Sequence, residues 1–250
     1  MNQLTLIKLD ATSSTNDLLK EGVAKGKYRD GDLVWTTVQT KGKGQRKNSW
    51  ESEPTKNIAF SVYKEFEGIK ASKAYLISCA VSIAILEALT RFDNLKITVK
   101  WPNDIMAENQ KIGGILIENL LNGHHLTSGI IGVGLNVNQL RFKNLPNATS
   151  MALQSQKEYN IEAVLKQVVE NLAPALSGIT TSVNKDAIHR GYSSCLFGLN
   201  KASYFIKNNT KFIGVIRGIS DGGKLLLELE NGKLEAFRYP EVRMLYAIEN

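Results

Sequence analysis

Residues 100–118 read KWPNDIMAENQKIGGILIE, and the rest of this 250-residue chain is organised around them. The stretch follows an apolar run, Ile97 to Val99, that predicts a strand. A Trp-Pro pair then stiffens the exit, because proline fixes its own φ and biases the residue before it towards extended geometry. Asn103 and Asp104 come directly after this rigid corner, so we expect their side chains to be held in place.

Two adjacent glycines, Gly113 and Gly114, stand near the start of a second predicted strand, Ile112 to Leu121. Glycines inside a strand lose entropy and pack nothing, so they indicate close approach by a ligand or by another backbone. Lys111 directly precedes them, and the carboxylate of the Trp-Pro corner is close in sequence. The local pattern fits either a chemical site or a plain hairpin with polar turn residues, Glu108 to Gln110.

Length and composition predict one large domain and a small one. Hydrophobic residues make up 43% of the chain and charged residues 22%, which is ordinary for globular proteins. No apolar run approaches the length of a membrane span, and the first residues lack a secretory signal, so we predict a cytoplasmic protein without membrane association. Cys79 and Cys195 are far apart in sequence, and neither a disulfide nor a zinc site is predicted.

The net charge of +7 suits a nucleic acid, an acidic protein partner or a polyphosphate substrate, or simply a solvated surface. Four cations cluster between Lys41 and Lys47. They belong to the segment Gln39–Trp50, which follows a predicted strand, Leu33 to Val38. This segment has no apolar residue before Trp50, so we predict a mobile loop that wraps around phosphates or a carboxylate, with the indole stacking on a flat base. The alternative is a disordered basic loop.

Capping residues are dense between a first predicted strand, Leu4 to Leu9, and a short predicted helix. Ser14, Thr15 and Asn16 therefore belong at a helix N-terminus. There they either hold an anion or a urea-like carbonyl, or only cap the helix.

Further along, the patterns predict a strand, a buried helix, a strand returning from an Asn-Gly turn, a polar loop and a second helix. These are residues 58–63, 72–92, 126–138, 139–150 and 161–176. The returning strand ends in Gly132, Gly134 and Asn136, a spacing that by itself is weak evidence for a nucleotide site.

After Tyr192 short apolar runs alternate with turn signals about every ten residues, which indicates a small antiparallel barrel. The runs are residues 202–206, 212–219, 224–229 and 234–239. We place the domain boundary near Leu199, which gives a large domain at 1–199 and a barrel at 200–250.

Together these segments resemble the biotin protein ligase family. Lys100–Asp104 with Lys111–Glu118 resembles its central motif, and Ser14–Asn16 its early Ser-Thr-Asn. Gln39–Trp50 resembles its glycine- and arginine-rich loop, and Gly132–Asn138 its Gly-x-Gly-x-Asn strand end. Order and spacing agree over essentially the whole chain.

The resemblance implies an α+β fold, with a mixed, largely antiparallel sheet flanked by helices as in class II aminoacyl-tRNA synthetases, and a C-terminal SH3-like barrel. It also implies an ATP-dependent biotin–protein ligase that forms biotinyl-5′-AMP and pyrophosphate, and then transfers biotin to a lysine. The acceptor is a biotin carboxyl carrier protein domain of acetyl-CoA carboxylase or of another biotin-dependent carboxylase. The implied cofactor is Mg²⁺, and monomer and homodimer both stay open.

The resemblance also assigns roles to residues. Lys111 and Asp104 are the expected catalytic pair, and Asp104 is also a possible Mg²⁺ ligand. The expected biotin-binding residues are Ser14, Thr15, Asn16, Gln39, Gly42, Lys43, Gly113, Gly114 and Gly134. The expected ATP-binding residues are Lys43, Gln45, Arg46, Lys47, Trp50, Asn103, Lys111 and Asn136.

The loop departs from the family pattern, which commonly reads Gly-Arg-Gly-Arg-x-Gly-Arg-x-Trp. Lys43 and Gln45 replace the first two arginines, and Lys47 stands where glycine is common. Gln45 has no guanidinium fork, so it cannot clamp a carboxylate or phosphate in two-point fashion. We therefore expect Lys111 and the neighbouring cations to carry more of the charge stabilisation. The pattern begins at Leu4, so no DNA-binding helix-turn-helix is expected.

Two other classes compete with this interpretation. A lipoate or octanoate protein ligase or transferase has a related fold, but a transferase needs a reactive cysteine, and neither cysteine lies in a polar motif. A non-enzymatic nucleic-acid-binding module would use the basic loop and the barrel. The basic cluster lacks the interleaved aromatic residues that such surfaces use for stacking.

Overall fold

The computed structural model describes residues 3–93, 95–143, 145–179 and 182–245, apart from the side chains of Lys47, Ser182 and Val183. The strands are β1 Thr5–Lys8, β2 Asp32–Thr36, β3 Gly42–Lys43, β4 Ser49–Trp50, β5 Ile58–Lys70, β6 Ile97–Lys100, β7 Asp104–Ala107, β8 Gln110–Asn122, β9 His125–Leu135, β10 Ala202–Lys207, β11 Thr210–Ile219, β12 Leu225–Leu229, β13 Leu234–Phe237 and β14 Arg243–Leu245. The helices are α1 Thr15–Ala24, α2 Tyr75–Leu89, α3 Met151–Ser155, α4 Ile161–Gly178 and α5 Ser182–Ser194.

A seven-stranded sheet in the order β1-β2-β5-β9-β8-β7-β6 forms the centre of the fold. β1 and β2 run parallel, and the other neighbours run antiparallel. The sheet is therefore mixed, as predicted. Residues 100–118 form the turns and strands at one edge of this sheet.

The stretch that organises the sequence folds as a tight meander. β6 turns through Trp101–Asn103 into β7, a strand that was not predicted, and β7 turns through Glu108 and Asn109 into β8. β8 begins at Gln110, two residues earlier than the Ile112 that we expected. The predicted polar hairpin turn is therefore present, and the same meander carries the candidate site.

The predicted buried helix is α2, which is shorter than the expected 72–92 and is preceded by a 3₁₀ turn, Ala71–Lys73. Its side chains are apolar on most faces because it packs between the central sheet and the helices α4 and α5. By length and composition alone, Ala71–Leu89 would be long enough to cross a membrane. More than half of it is buried inside the fold, as in the core helix of a soluble protein.

α1 begins where the capping residues predicted. Ser14 is its N-cap, and the Ser14 hydroxyl accepts a hydrogen bond from the backbone N–H of Asp17 at 3.4 Å. The helix packs Leu19 into a small second core with Tyr28 and Ile130. Packing and capping together fix the N-terminus of α1 against the middle of the sheet.

Two further helices, α3 and α5, were not predicted. α3 lies directly after the predicted polar loop, and α5 follows α4. α4 begins after its Asn160 cap as expected and continues through Pro174 to Gly178.

The chain after residue 200 forms a five-stranded antiparallel sheet in the order β13-β12-β11-β10-β14, called here the C-terminal sheet. The predicted apolar runs supply four of its strands, and Arg243–Leu245 adds the fifth. Phe205 and Ile216 of this sheet belong to the same buried cluster as Leu196 and Val99 of the larger part. The core thus continues past residue 199, and the division there stays a prediction.

Candidate functional site

A cavity of about 730 Å³ opens between the central sheet, the β3–β4 hairpin and the C-terminal sheet. Its floor is the first half of β8 and the last residues of β9, and one wall is the turn between β6 and β7. Residues from both ends of the chain line it, from Ser14 at the N-cap of α1 to Met244 in β14. The cavity lies where the sequence motifs converge.

A carboxylate between two lysines forms the charged part of the cavity wall. The Nζ of Lys111 lies 2.6 Å from one oxygen of Asp104, and the Nζ of Lys100 lies 3.0 Å from the other. Strand register explains the cluster, because Lys100 pairs with Asp104 across the tight β6–β7 turn. Asp104 in turn pairs with Gly114, and a bulge brings Lys111 to its side. The result is a site with a net charge of about +1 from one acid and two bases.

Burial of Asp104 by itself raises its pKa, but the charges of Lys111 and Lys100 and hydrogen bonds from both outweigh this effect. The pKa of Asp104 is therefore lower than usual, and the carboxylate stays ionised at neutral pH. Its role in this arrangement is to hold two ammonium groups at the cavity rather than to carry a proton.

The fit of Mg²⁺ to this cluster is poor. Both oxygens of Asp104 already form ion pairs with lysines. The other carboxylate that lines the cavity, Glu241, accepts a hydrogen bond from the backbone N–H of Arg238. Among the described residues no group of three His, Cys, Asp or Glu side chains is placed to hold a metal ion. Direct coordination by Asp104 has no support in this geometry, and the magnesium prediction stays a prediction.

The cavity floor consists of strand backbone that the indole of Trp50 covers. Gly114 of β8 and Gly134 of β9 face each other in register. The indole of Trp50 lies over them, since a Cβ added at Gly134 would be 2.3 Å from its Cε2. The Nζ of Lys111 lies 5.7 Å from the centre of the indole ring. A flat ligand on this floor therefore lies within reach of an aromatic face and a cation.

The indole N–H of Trp50 is buried and has no hydrogen-bond partner among the described residues. The same is true of the side-chain carbonyl of Gln45. Buried polar atoms without partners cost free energy. Both atoms belong to residues that line the cavity.

A buried polar network closes the other end of the cavity at the start of α1. The carbonyl of Gln39 accepts hydrogen bonds from the backbone N–H of Thr15 at 2.9 Å and from its hydroxyl at 3.3 Å. The Ser61 hydroxyl lies 2.8 Å from the Thr15 hydroxyl and 2.6 Å from the side-chain oxygen of Asn16. This cluster offers donors and acceptors in a fixed arrangement, which suits a small polar ring.

Asn16 connects this network to a charge pair. Its side-chain N–H₂ donates to a carboxylate oxygen of Glu118 at 3.1 Å, and Lys20 donates to the other oxygen at 2.8 Å. Burial raises the pKa of Glu118, but the hydrogen bonds from Lys20 and Asn16 outweigh it and lower that pKa. A Cβ at Gly132 would lie 2.0 Å from the side-chain oxygen of Asn16, so glycine is required there.

The segment Gln39–Trp50, predicted to be a mobile loop, forms the β3–β4 hairpin with a 3₁₀ turn at its tip. The physical reason lies in Trp50, which packs on the glycine floor and anchors one strand of the hairpin. The Nζ of Lys43 lies 2.7 Å from the Asp17 carboxylate, and the Arg46 guanidinium lies over the Tyr239 ring. The side chain of Lys47 lies outside the described part of the chain.

Three of the predicted binding residues do not line the cavity. Gly42 packs under the backbone of Trp50, and Gly113 packs against the backbone of Gly134. Asn136 is buried, and its side-chain N–H₂ donates to the Thr149 carbonyl at 2.9 Å. These residues do not contact the cavity, and they support it by packing against the strands and loops that form its wall.

The remaining predicted residues with described side chains line the cavity. They are Ser14, Thr15, Asn16, Gln39, Lys43, Gln45, Arg46, Trp50, Asn103, Asp104, Lys111, Gly114 and Gly134. Asn103 already uses its side-chain N–H₂ to donate to the Ile115 carbonyl at 2.8 Å, which ties the β6–β7 turn to β8.

Sequence reasoning missed Lys100, Ser61 and Tyr239. A signal existed for Lys100, because a lysine and an aspartate on either side of a tight turn face each other in the strand register. Ser61 stands between apolar residues on a strand, and such an isolated hydroxyl on a buried strand is a weak signal. Tyr239 had no signal, because its contacts come from distant parts of the chain.

Known proteins share both the sequence pattern and the fold. Residues 9–136 match the model of the biotin/lipoate A/B protein ligase family. The chain is 28% identical over 232 residues to the bifunctional ligase/repressor BirA of Bacillus spizizenii, covering 91% of this chain and 70% of that protein. It is 25% identical over 221 residues to the biotin–[acetyl-CoA-carboxylase] ligase of Mycobacterium tuberculosis, covering 87% and 81%.

Among solved structures, the biotin protein ligase from Aquifex aeolicus in complex with biotin and ATP is similar with a TM-score of 0.80. The two chains are 23% identical, and the likeness covers 97% of this chain and 99% of that one. This likeness confirms the predicted α+β fold with a small β-rich C-terminal part.

Proposed function

The chain belongs to the biotin/lipoate A/B protein ligase family, and from this premise we propose that it is an ATP-dependent biotin–protein ligase. Its substrates are biotin, ATP and a lysine of a biotin carrier domain of a carboxylase. The observation that carries the proposal is the Asp104–Lys111 ion pair of 2.6 Å at the edge of a glycine floor. We infer the reaction from the family and from the relatives named above, and the geometry of the cavity supports it.

In the first step, a carboxylate oxygen of biotin attacks the α-phosphorus of ATP. The bond from that phosphorus to the bridging oxygen of the β-phosphate breaks, and pyrophosphate leaves with the electron pair. Two anions must approach each other, so fixed positive charge stabilises the transition state. Lys111 is placed for this role, because Asp104 holds its ammonium group beside Gly114.

In the second step, the neutral ε-amine of the acceptor lysine attacks the carbonyl carbon of biotinyl-5′-AMP. The bond from that carbon to the phosphate oxygen breaks, AMP leaves, and the nitrogen loses a proton to solvent. Asp104 stays an anion throughout, because the two lysines lower its pKa. It serves to orient Lys111.

The polar network at the start of α1 fits the ureido ring of biotin, which has one carbonyl and two N–H groups. Thr15 and Gln39 offer both donors and acceptors within hydrogen-bond distance of each other. The indole of Trp50 and the glycine floor fit the flat adenine or the apolar chain of biotin.

Biotin-dependent exchange of labelled pyrophosphate into ATP tests the first step. We expect exchange with the natural chain, and a loss of at least a hundredfold with Lys111→Ala, because the variant lacks the cation between the two anions. Lys8→Ala is a matched control, since Lys8 forms an ion pair of similar length with Glu162 away from the cavity. Near-normal exchange with Lys111→Ala would remove the role that we propose for this lysine.

Replacing biotin with lipoate or octanoate in the same assay tests the alternative substrates. An octanoyl transferase that works through a cysteine is disfavoured by both thiols. Burial raises the pKa of Cys195 to about 11, and it raises the pKa of Cys79 further still. Neither thiol supplies a nucleophilic thiolate at neutral pH. Pyrophosphate release with lipoate but not with biotin would overturn the choice of substrate.

A further inference from the structure

Tyr239 lies after β13 in the C-terminal sheet, and its ring contacts two separate parts of the candidate site. The Arg46 guanidinium of the β3–β4 hairpin lies 5.4 Å from the centre of the ring. The Trp101 ring of the β6–β7 turn lies 5.9 Å away, edge to face at 77°. The Tyr239 side chain therefore contacts both the β3–β4 hairpin and the β6–β7 turn that precedes Asp104.

The contact with Trp101 is held from the other side as well. The indole N–H of Trp101 donates to the carbonyl of Gly223 at 3.0 Å, which ties the turn before Asp104 to the C-terminal sheet. The position of Tyr239 is thus fixed relative to the charged cluster of the cavity.

Arg46 needs such support. Its backbone is left-handed, with φ 56 and ψ 42, a conformation that arginine rarely adopts. A turn holds the segment, since Gly44 donates to the Asn48 carbonyl at 2.7 Å and Asn48 donates to the Gln45 carbonyl at 3.1 Å. The turn fixes the backbone, and the aromatic face fixes the direction of the guanidinium.

We propose that Tyr239 is a positioning residue for adenylate formation: it holds Arg46, and with it the β3–β4 hairpin, over the cavity from the C-terminal sheet. This inference rests on the proposed function. A cation over an exposed aromatic ring shifts an equilibrium about two- to fivefold. Loss of the ring therefore increases the fraction of time that the hairpin is open. This lowers the affinity for ATP and for the acyl-adenylate, while the reacting groups stay unchanged.

The test compares Tyr239→Leu with Tyr239→Phe in biotin-dependent pyrophosphate exchange. For Tyr239→Leu we expect the KM for ATP and the release rate of preformed adenylate to rise about two- to fivefold, with kcat within twofold of the natural chain. Tyr239→Phe keeps the aromatic face and should behave like the natural chain. Tyr239 is 43% exposed, so we expect an unchanged urea midpoint for both variants.

Tyr204→Leu is the matched control. Tyr204 lies on the same sheet, is 50% exposed, and has the Nζ of Lys211 at 4.1 Å from its ring centre, but it does not line the cavity. Combining Tyr239→Leu with Arg46→Gln gives the second criterion. If the two residues act through one contact, the double variant is no worse than the more affected single variant.

Three results would overturn the inference: an unchanged KM and release rate for Tyr239→Leu, a Tyr239→Phe variant as impaired as Tyr239→Leu, or effects that multiply in the double variant. Trypsin cleavage of the ligand-free chain separates this failure from that of the proposed function. Tyr239→Leu should speed cleavage after Arg46 whatever the substrate is. Absence of exchange in the natural chain would count against the function alone.

Discussion

Replacing Asp104 by asparagine tests how far the charged cluster stabilises the fold. The substitution keeps the size of the side chain but removes the charge that serves two lysines at 2.6 and 3.0 Å. Each charge-assisted hydrogen bond is worth about 1.5–3 kcal/mol, and the asparagine carbonyl keeps one weaker bond. Lys111 is 33% exposed and Lys100 18%, so both ammonium groups can reach water. We therefore expect the free energy of unfolding to fall by about 2 kcal/mol at pH 7.

Urea denaturation between pH 7 and pH 3 measures this loss and its origin. The folded chain lowers the pKa of Asp104 below its ordinary value of 3.8. Its stabilising contribution is therefore complete above that value and disappears as the pH falls through the lowered pKa. The gap between the natural chain and Asp104→Asn should stay constant down to about pH 4 and then narrow.

Glu235→Gln is the control for this experiment. Glu235 also loses a charge on conversion to the amide, and it pairs with a single exposed lysine, Lys233, at 2.8 Å. Such surface pairs contribute little, so we expect no measurable change. Our reasoning would be refuted if Asp104→Asn matched the natural chain at pH 7, or if its deficit persisted undiminished at the acid end of the series.

Three further substitutions test the packing around the cavity. Gly132→Ala places a Cβ 2.0 Å from the side-chain oxygen of Asn16, and we expect urea denaturation to show a loss of about 2 kcal/mol; a loss below ~0.5 kcal/mol would contradict the required glycine. Gly134→Ala displaces the Trp50 indole, so we expect a shift in tryptophan emission. The shift should be absent when Trp50 is replaced by Phe, and an unshifted spectrum in the single variant would show that the indole does not lie over Gly134. Tyr192→Phe removes a buried hydroxyl that donates at 3.1 Å to the backbone of the β6–β7 turn, and we expect about 1 kcal/mol lower stability in thermal unfolding; an unchanged melting curve would count against this hydrogen bond.

The sequence was most informative where local rules determine the structure. The capping residues before α1 placed Ser14 correctly at its N-cap, because a side-chain acceptor within the first turn is a local requirement. The apolar spacing of α2 was sufficient to predict a buried helix, and the glycines of β8 were sufficient to predict a close contact. Both features require particular residue types, which are visible in the sequence. Local rules misplaced the ends of these elements by a few residues.

The features that sequence reasoning missed depend on contacts between distant segments. The β3–β4 hairpin forms because the Trp50 indole packs on Gly134. Residues 39–50 by themselves do not predict this contact. Arg46 and Tyr239 are neighbours although 239 − 46 = 193 positions separate them in the sequence. α5 is a polar helix whose pattern does not stand out, so its place against α2 follows from packing.

The facing glycines of the floor also limit how the ligand range of this protein can be engineered. Gly114 and Gly134 stand in register on adjacent strands, and the indole of Trp50 lies over them, so the two glycines set how deep the indole sits. Because glycine has no side chain to remove, substitution at either position can only push the indole of Trp50 outward and make the cavity shallower. Variants with a preference for slimmer analogues can therefore be made at this place. Acceptance of thicker analogues must come from a smaller side chain at Trp50, because Ile115 and Val133 alternate with the glycines and are buried in the core on the other face of the sheet.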